Sequence, residues 1–499
     1  MYPNENVKVQ PIHLLYDERM LLHRPIGWVE PDIFPENLNE CDDGYPCENP
    51  ERLRVIYERL CSVEDRLVFE EDGLEIDQIL FNPLRCQMAT KQQICMAHTV
   101  EQYERLEQLQ YYSNEELMQL TEEHSDMYYC HATFQAARLA AGGLLACVDA
   151  ACDQKSTSNK ALALVRPPGH HACQSKELGF CFIDSVVVAA KYAIQQKKAT
   201  RVVILDWDIH DGNGTQEGTL QDENIFRIDL HRFNRKEGFF PFTGAPNDIG
   251  SGNARGLNLN MAWSHGGMGN TEYAAAFYEL VLPLMAEYKP DMLLISCGLD
   301  AAKGDLLGGC ELTPDFFHAM TRATLEVVGP TCPVVCALEG GYTMSILPDC
   351  MEAVTLAMIN CPYQYHSSVE IGSYLGGAAI ETKRNPWPAN ALGRSRRVLS
   401  KYYVRDGCSS IIDSAIHDIN TCIRIFSNTR RWMHLEFHRI RGPPKPVQQP
   451  QPPKKRKLLE SSFVCDRPFQ RPRVFLWYGT ELHHQKSMNL NYNVRSIPT

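Results

Sequence analysis

The chain of 499 residues has no run of about 20 apolar residues, so we expect no transmembrane helix. Its first ten residues, MYPNENVKVQ, lack the charged-then-apolar pattern of a signal peptide. The 19 cysteines show no regular spacing, and we find no internal repeat. We therefore expect most cysteines to be reduced thiols in a core rather than a disulfide framework.

Positive charge is scarce in most of the chain. The total net charge is −12, and residues 441–499 carry 11 Lys and Arg against 3 Asp and Glu. The tail is thus at +8, which leaves −20 for residues 1–440. We expect no direct binding of nucleic acid by such an acidic body, which would instead attract a basic peptide.

Apolar runs alternate with helical patterns through the middle of the chain. Strand-like runs lie at 161–165, 201–205, 225–230, 291–297 and 334–338. Continuous apolar runs predict strands buried on both faces, and hence a largely parallel sheet covered by helices. In such sheets ligands bind beyond the carboxyl ends of the strands. A long helix is predicted along SDMYYCHATFQAARLAAGGLLACVDAA, with Ser125 or Asp126 as its cap.

Acidic and histidine side chains follow two of these runs. In DWDIHDGNGTQ, Asp208 and His210 stand two positions apart, so an extended segment points both the same way. Asp300 follows the run at 291–297. Two carboxylates and an imidazole leave one tetrahedral position open, which is typical of a catalytic metal site.

Three further segments end at the same predicted edge of the sheet. They are RPPGHHA with His170 and His171, GFCFIDS with Gly179 and Phe180, and ALEGGYT with Tyr342. A metal, a proton-transferring histidine pair and a hydroxyl donor for an oxyanion are the parts of metal-assisted amide hydrolysis. Asp206 and Asn213 are spaced to orient the two histidines from behind.

These segments, with GFFPFTGAPNDIG and GLDAAKGDLLGGCELTP, resemble the zinc-dependent histone deacetylases of class II. The resemblance runs from about residue 16 to residue 432. It implies the arginase/deacetylase α/β fold, with a central, mostly parallel eight-stranded sheet and helices on both faces. It also implies a catalytic domain over 1–440, with a core at about 12–360 and C-terminal helices to about 440. The Pro/Gln-rich and then basic composition of 441–499 predicts a flexible tail.

The resemblance implies a role for each site residue. Asp208, His210 and Asp300 would hold one zinc ion, although a mixed oxygen and nitrogen site also accepts ferrous iron. His170 and His171 would be the acid/base pair and Tyr342 the oxyanion donor. The acyl-lysine channel would be lined by Gly179, Phe180, Phe240 and Leu307. Leu307 stands where polyamine-preferring relatives carry a glutamate, which favours a lysine substrate here.

The chain also departs from the family pattern. Asp211 replaces a second histidine, and Asp229 replaces a serine that helps to hold a structural potassium ion; Asp206 and Asp229 form the predicted cation site. Asp184 and Ser185 replace two asparagines, and either pair suits a helix cap. The segment from Pro25 to Cys47 is longer than usual and lacks a His-Pro-Glu sequence.

Three alternatives stay open from the residues. An arginase-like dimanganese hydrolase would need carboxylates where this chain has Gly212 and Ala302. A deacetylase of small acetylated amines would keep every catalytic residue. A catalytically silent scaffold that recruits corepressors would need no complete site.

The tail carries a basic run, PPKKRKL, which resembles a nuclear import signal at Lys454, Lys455, Arg456 and Lys457. We therefore expect the protein in the nucleus, and the cytoplasm stays open as a second location. Its expected partners are acetylated lysines of histone tails or other proteins, and corepressors, with a role in transcriptional repression through chromatin.

Overall fold

The computed structural model describes residues 9–29, 46–69, 80–124, 126–234, 238–363, 390–403 and 411–440. The predicted import signal at 454–457 and most of the segment between Pro25 and Cys47 lie outside these residues. The division into a domain over 1–440 and a tail stays a prediction.

A single sheet of eight strands runs through the described part of the chain, in the order β2-β1-β3-β8-β7-β4-β5-β6. All neighbouring strands are parallel. The strands are β1 Ile12–Leu15, β2 Phe81–Leu84, β3 Lys160–Ala163, β4 Val202–Asp206, β5 Ile225–Arg232, β6 Asn258–Trp263, β7 Met292–Cys297 and β8 Val334–Leu338. The expected arginase/deacetylase α/β fold is therefore confirmed.

Helices surround the sheet. The α-helices of the described ranges are α1 Glu51–Phe69, α2 Lys91–Ile94, α3 Val100–Gln108, α4 Asn114–Glu123, α5 Thr133–Ala151, α6 Ser185–Gln195, α7 Asn213–Thr219, α8 Asn270–Ala276, α9 Leu282–Tyr288, α10 Pro314–Val328, α11 Leu347–Met358, α12 Ala391–Leu399 and α13 Asp413–Ser427. None of them is both long and apolar enough to cross a lipid bilayer.

Two predicted helix caps have different outcomes. Asp184 caps α6 as expected, because its carboxylate accepts a hydrogen bond from the Val187 amide at 2.8 Å. The predicted cap at Ser125 or Asp126 was wrong, since α5 begins only at Thr133 after Ala132. The Asp126 carboxylate instead accepts from the amide of Gly179 at 2.7 Å.

The central strands place polar side chains at one edge of the sheet. Every residue of β4, β7 and β8 is buried, which explains why these strands are apolar except for Asp206 and Ser296 near their carboxyl ends. Asp206 is the last residue of β4 and pairs with Asp229 of β5 on one side and Ser296 of β7 on the other. The loops that follow these strands carry the residues described next.

Candidate metal centre and active site

Asp208, His210 and Asp300 come together in one buried group. Their ligand atoms all lie within 4.8 Å of one another. The Nδ1 atom of His210 lies 3.1 Å from Oδ1 of Asp208 and 2.9 Å from Oδ2 of Asp300. Two carboxylates and one imidazole nitrogen that converge in this way form a donor set suited to a divalent metal.

The backbone leaves room for this group and orients it. A Cβ on Gly340 would lie 2.5 Å from Oδ2 of Asp208 and 2.7 Å from Oδ2 of Asp300, so only glycine fits there. The amide of Gly340 donates to Asp208 at 2.9 Å, and the amide of Ile209 donates to Asp300 at 2.9 Å. These bonds fix the carboxylates while other lone pairs point inward.

The close approach of the buried side chains of Asp208, His210 and Asp300 shifts their pKa values. Burial and the charge of Asp208 raise the pKa of Asp300 to about 7. Burial opposes the positive charge of His210, but hydrogen bonds to Asp208 and Asp300 outweigh it and raise its pKa to about 9. Two carboxylates crowded in a buried pocket create an excess of negative charge that a cation would neutralise. The residues therefore fit a bound divalent ion.

The two adjacent histidines have different supporting partners. Nδ1 of His170 pairs with Oδ2 of Asp206 at 3.0 Å, whereas Nδ1 of His171 pairs with the amide oxygen of Asn213 at 2.8 Å. Burial disfavours charge on His170, but Asp208 and Asp206 raise its pKa well above the ordinary value. Burial, together with the charges of His170 and His210, lowers the pKa of His171 well below it. Environments that separate two pKa values in this way separate the roles of the two groups.

Tyr342 lies in the turn that follows β8. Its ring is 5.8 Å from the ring of Phe180, between centroids, and its backbone amide donates to Oδ2 of Asp305 at 2.8 Å. Burial raises the pKa of the Tyr342 hydroxyl, and the charges of Asp208 and Asp300 add to the effect although Arg52 opposes it. The phenol therefore keeps the proton that an oxyanion donor needs.

A buried group that we call the arginine-rich cluster, Glu48, Arg52 and Arg166, supports the Tyr342 turn. Nε of Arg52 donates to the carbonyl of Gly341 at 2.6 Å, and Nη2 of Arg52 donates to the carbonyl of Glu339 at 2.5 Å. Arg166 forms two hydrogen bonds with the Glu48 carboxylate, at 2.9 and 2.8 Å. This cluster could not be predicted from the sequence, because nothing in the spacing joins residues 48, 52 and 166 to residue 342.

Two aromatic rings pack against His171 and His210. Phe240 meets His171 edge to face, with ring centroids 5.1 Å apart. A Cβ on Gly179 would lie 2.5 Å from His171 and 2.9 Å from Phe240, which explains glycine at this position. Phe180 has a φ of 65°, an uncommon conformation for a residue with a side chain and one that clusters at functional sites. Phe239, which was not predicted, stacks on His210 at 5.1 Å.

Leu307 lies near the Tyr342 turn. Its amide donates to Oδ1 of Asp305 at 2.9 Å, and the other oxygen of the same carboxylate holds Tyr342. Leu307 is 36% exposed, so part of its apolar surface is open to solvent. The predicted metal ligands, the histidine pair and Tyr342 thus lie in loops that directly follow β3, β4, β7 and β8.

This fold, with its Asp-His-Asp group and histidine pair, belongs to the arginase/deacetylase class of α/β proteins. Within that class the chain belongs to the histone deacetylase family, since the histone deacetylase domain matches residues 46–358. Among known proteins it is 36% identical over 357 residues to histone deacetylase HDA1 of Saccharomyces cerevisiae, covering 70% of this chain and 48% of the yeast protein.

Other relatives differ in their named substrates. The chain is 39% identical over 323 residues to histone deacetylase 6 of Caenorhabditis elegans, covering 64% of this chain and 32% of the nematode protein. It is 33% identical over 337 residues to polyamine deacetylase HDAC10 of Danio rerio, covering 67% of this chain and 45% of the fish protein. The chain therefore spans about half or less of the length of these relatives, all of which are named deacetylases.

Proposed function

We propose that this protein is a zinc-dependent lysine deacetylase that hydrolyses N6-acetyl-lysine in histones or other proteins and releases acetate. The observation that carries the proposal is the convergence of the Asp208, His210 and Asp300 ligand atoms beside the two histidines, with Tyr342 within reach of the charges of Asp208 and Asp300. When bound, zinc would supply a Lewis acid that polarises the acyl carbonyl and acidifies a water.

We assign the proton transfers to the histidine pair. Asn213 orients His171 without adding negative charge, and burial and the charge of His170 lower the pKa of His171, so its imidazole is neutral and able to accept a proton. Asp206 carries the charge that stabilises His170 as a cation, whose Nε2 lies 3.8 Å from Oδ2 of Asp208. A histidine later returns a proton to the leaving amine.

Tyr342 and the aromatic rings account for substrate choice and rate. The Tyr342 hydroxyl would donate to the oxyanion, a contribution that typically amounts to about 100- to 1000-fold in rate. Phe180 and Phe240 offer aromatic faces to the four methylenes of a lysine stem. Leu307 provides no carboxylate for a second amine, which favours acetyl-lysine over an acetylated polyamine.

The test compares the wild type with Tyr342→Phe on an acetyl-lysine peptide and on an acetylated polyamine. We expect turnover of the peptide by the wild type and a loss of about 100- to 1000-fold in the variant. Zinc content is the control and should be equal in the two proteins. Preferential turnover of the polyamine would favour the small-amine alternative, and a folded, zinc-loaded wild type without turnover would favour a scaffold.

We also propose a nuclear role in chromatin repression, with corepressor partners. The support is the basic run Lys454, Lys455, Arg456 and Lys457 and the similarity to fungal proteins named histone deacetylases. Replacing these four residues with alanine in the full chain should move the protein to the cytoplasm. An unchanged nuclear location would contradict the import signal.

A further inference from the structure

A second buried charged group lies beside the metal ligands. It consists of Asp211, Arg227, Asp229 and His231, each with no measurable solvent exposure, and we call it the aspartate-rich cluster. Asp211 directly follows the predicted ligand His210. The other three alternate along β5 and therefore project from the same face of the strand.

The guanidinium of Arg227 joins the two carboxylates. Nη2 donates to Oδ1 of Asp211 at 2.5 Å and also to Oδ2 of Asp229. Nη1 donates to the side-chain oxygen of Asn260 at 2.7 Å. Arginine suits such a place because its planar fork binds two acceptors at once and stays charged when buried.

His231 completes the balance of charge. Nδ1 lies 2.5 Å from Oδ1 of Asp229, and Nε2 lies 2.9 Å from the carbonyl of Gly244. A carbonyl and a carboxylate both accept hydrogen bonds, so both ring nitrogens donate and the ring is an imidazolium. Two aspartates are thus matched by one arginine and one histidine.

The predicted potassium site at Asp206 and Asp229 does not fit this arrangement. Oδ1 of Asp206 accepts from the amide of Asp208 at 3.0 Å, and Oδ2 pairs with Nδ1 of His170 at 3.0 Å. Oδ2 of Asp229 accepts from Arg227 and from the amide of Gly212 at 3.1 Å, while Oδ1 pairs with His231. Unlike the carboxylates of Asp208 and Asp300, the Asp229 carboxylate is bound by a buried guanidinium, whose permanent positive charge would repel a second cation.

We propose that Arg227 takes the place of a structural monovalent cation and is a positioning residue for the metal-binding loop. Through Asp229 it holds the amide of Gly212, and through Asp211 it holds the residue next to His210.

The same cluster reaches the channel. The hydroxyl of Thr243 donates to Oδ2 of Asp211 at 2.6 Å, and Gly244 is bound by His231. Both residues belong to the loop that carries Phe240. One internal cation therefore sets the position of a predicted metal ligand and of a predicted channel wall.

The first test uses the wild type in potassium, sodium and choline chloride at equal ionic strength. We expect the melting temperature and the rate of zinc release to a chelator to be the same in all three salts. A saturable rise in melting temperature, or a slower release of zinc, that is specific to potassium would overturn the proposal. Melting does not depend on turnover, so this test stands even if the proposed deacetylase activity fails.

The second test compares Arg227→Met and Arg227→Lys with the wild type. Loss of supporting contacts to metal ligands typically costs about 10- to 100-fold in metal affinity, so we expect zinc release from folded Arg227→Met to be about tenfold faster. Lysine keeps the charge without the fork and should restore most of the affinity. Arg322→Met, which removes a partly buried arginine from α10, should release zinc as the wild type does.

Two outcomes of the second test are decisive. Folded Arg227→Met that releases zinc at the wild-type rate would show a merely structural role and overturn the positioning proposal. Arg227→Met that gains a potassium-dependent rise in melting temperature, absent from the wild type, would support it directly. If Arg227→Met does not fold, the salt comparison on the wild type still decides.

Discussion

The two buried charged clusters beside the site differ in their balance of hydrogen-bond donors and acceptors. The arginine-rich cluster has one carboxylate, Glu48, for two guanidinium groups, whereas the aspartate-rich cluster has two carboxylates for one guanidinium and one imidazolium. The first has surplus N–H donors, which go to the main-chain carbonyls of Met20, His23, Glu339 and Gly341. The second has surplus acceptors, which bind the Gly212 amide and the Thr243 hydroxyl.

This difference explains which loop each cluster holds. The turn before Tyr342 presents carbonyls and is bound by arginine, while the loop after His210 presents amides and is bound by aspartate. Buried polar groups need partners, so the surplus in each cluster selects the backbone that it can satisfy. The clusters should therefore fail in different ways when they are broken.

The largest expected effect is on stability, from Glu48→Gln. This change keeps the volume but leaves two buried guanidiniums without a carboxylate, which typically costs about 3–5 kcal/mol of unfolding free energy. Glu104→Gln is the control, because Glu104 and its partner Lys91 are 56% and 45% exposed and solvent screens their interaction, so the loss should be much smaller. Equal losses in urea unfolding of the two variants would contradict the account of the arginine-rich cluster.

The next effect is on acid stability. Burial would raise the pKa of Glu48, but Arg166 and Arg52 outweigh it and lower the pKa to about 2, from 4.5. A lowered pKa in the folded state means that this contribution is complete above pH 4.5 and is lost as the pH falls toward about 2. The lowered pKa of Glu48 contributes about 3 kcal/mol to the free energy of unfolding at neutral pH.

Unfolding followed from pH 7 down to pH 2 in the wild type and in Glu48→Gln measures this contribution. The difference in stability between the two proteins should shrink over that window. A difference that stays constant with pH would contradict the lowered pKa.

The third effect separates the two clusters by function. Arg52→Met removes both donors to the Tyr342 turn, and a small displacement of a reacting group costs about 10- to 100-fold in rate. We expect kcat to fall by that factor and zinc release to rise less than in Arg227→Met, since only the Gly340 amide links this turn to a metal ligand, Asp208. Arg54→Met on the same helix α1, where the side chain is 32% exposed, is the control and should change kcat by less than about twofold.

The smallest effect on stability is expected where charge meets solvent. Leu307→Glu places a carboxylate on a partly exposed side chain and should change the unfolding free energy by less than about 0.5 kcal/mol. It should nonetheless raise the preference for an acetylated polyamine over an acetyl-lysine peptide by about tenfold, equivalent to about 1.4 kcal/mol. Leu306→Glu, at 38% exposure, is the matched control. An equal shift in both variants would show a general charge effect.

Much of the sheet could be predicted because its central strands are buried on both faces and are therefore mostly apolar. The five predicted strands are all present. The three others were missed for physical reasons: β1 and β2 have four residues each at one side of the sheet, and β6 begins with Asn258. Asn258 and Asn260 are buried as partners of Arg227, so tertiary contacts rather than apolar pattern place them there.

The proximity of the site residues could be predicted from the sequence because the carboxyl ends of parallel strands meet at one edge of the sheet. The supports behind them could not. Arg227 is a charged residue inside a buried strand. Its role depends on the pairing of β5 with β4 and on the position of the loop after His210. Asp211 and Asp229 were recognised as departures, but their common partner emerges only from the three-dimensional arrangement.

The most direct test of the central claim is a zinc titration of the chelated protein, with turnover of an acetyl-lysine peptide as the readout. We predict that chelation abolishes turnover and that activity returns in proportion to added zinc until one equivalent is bound, with Asp300→Asn recovering little of it. Turnover that survives complete removal of metal, or its absence in the folded protein with one bound zinc, would contradict the account.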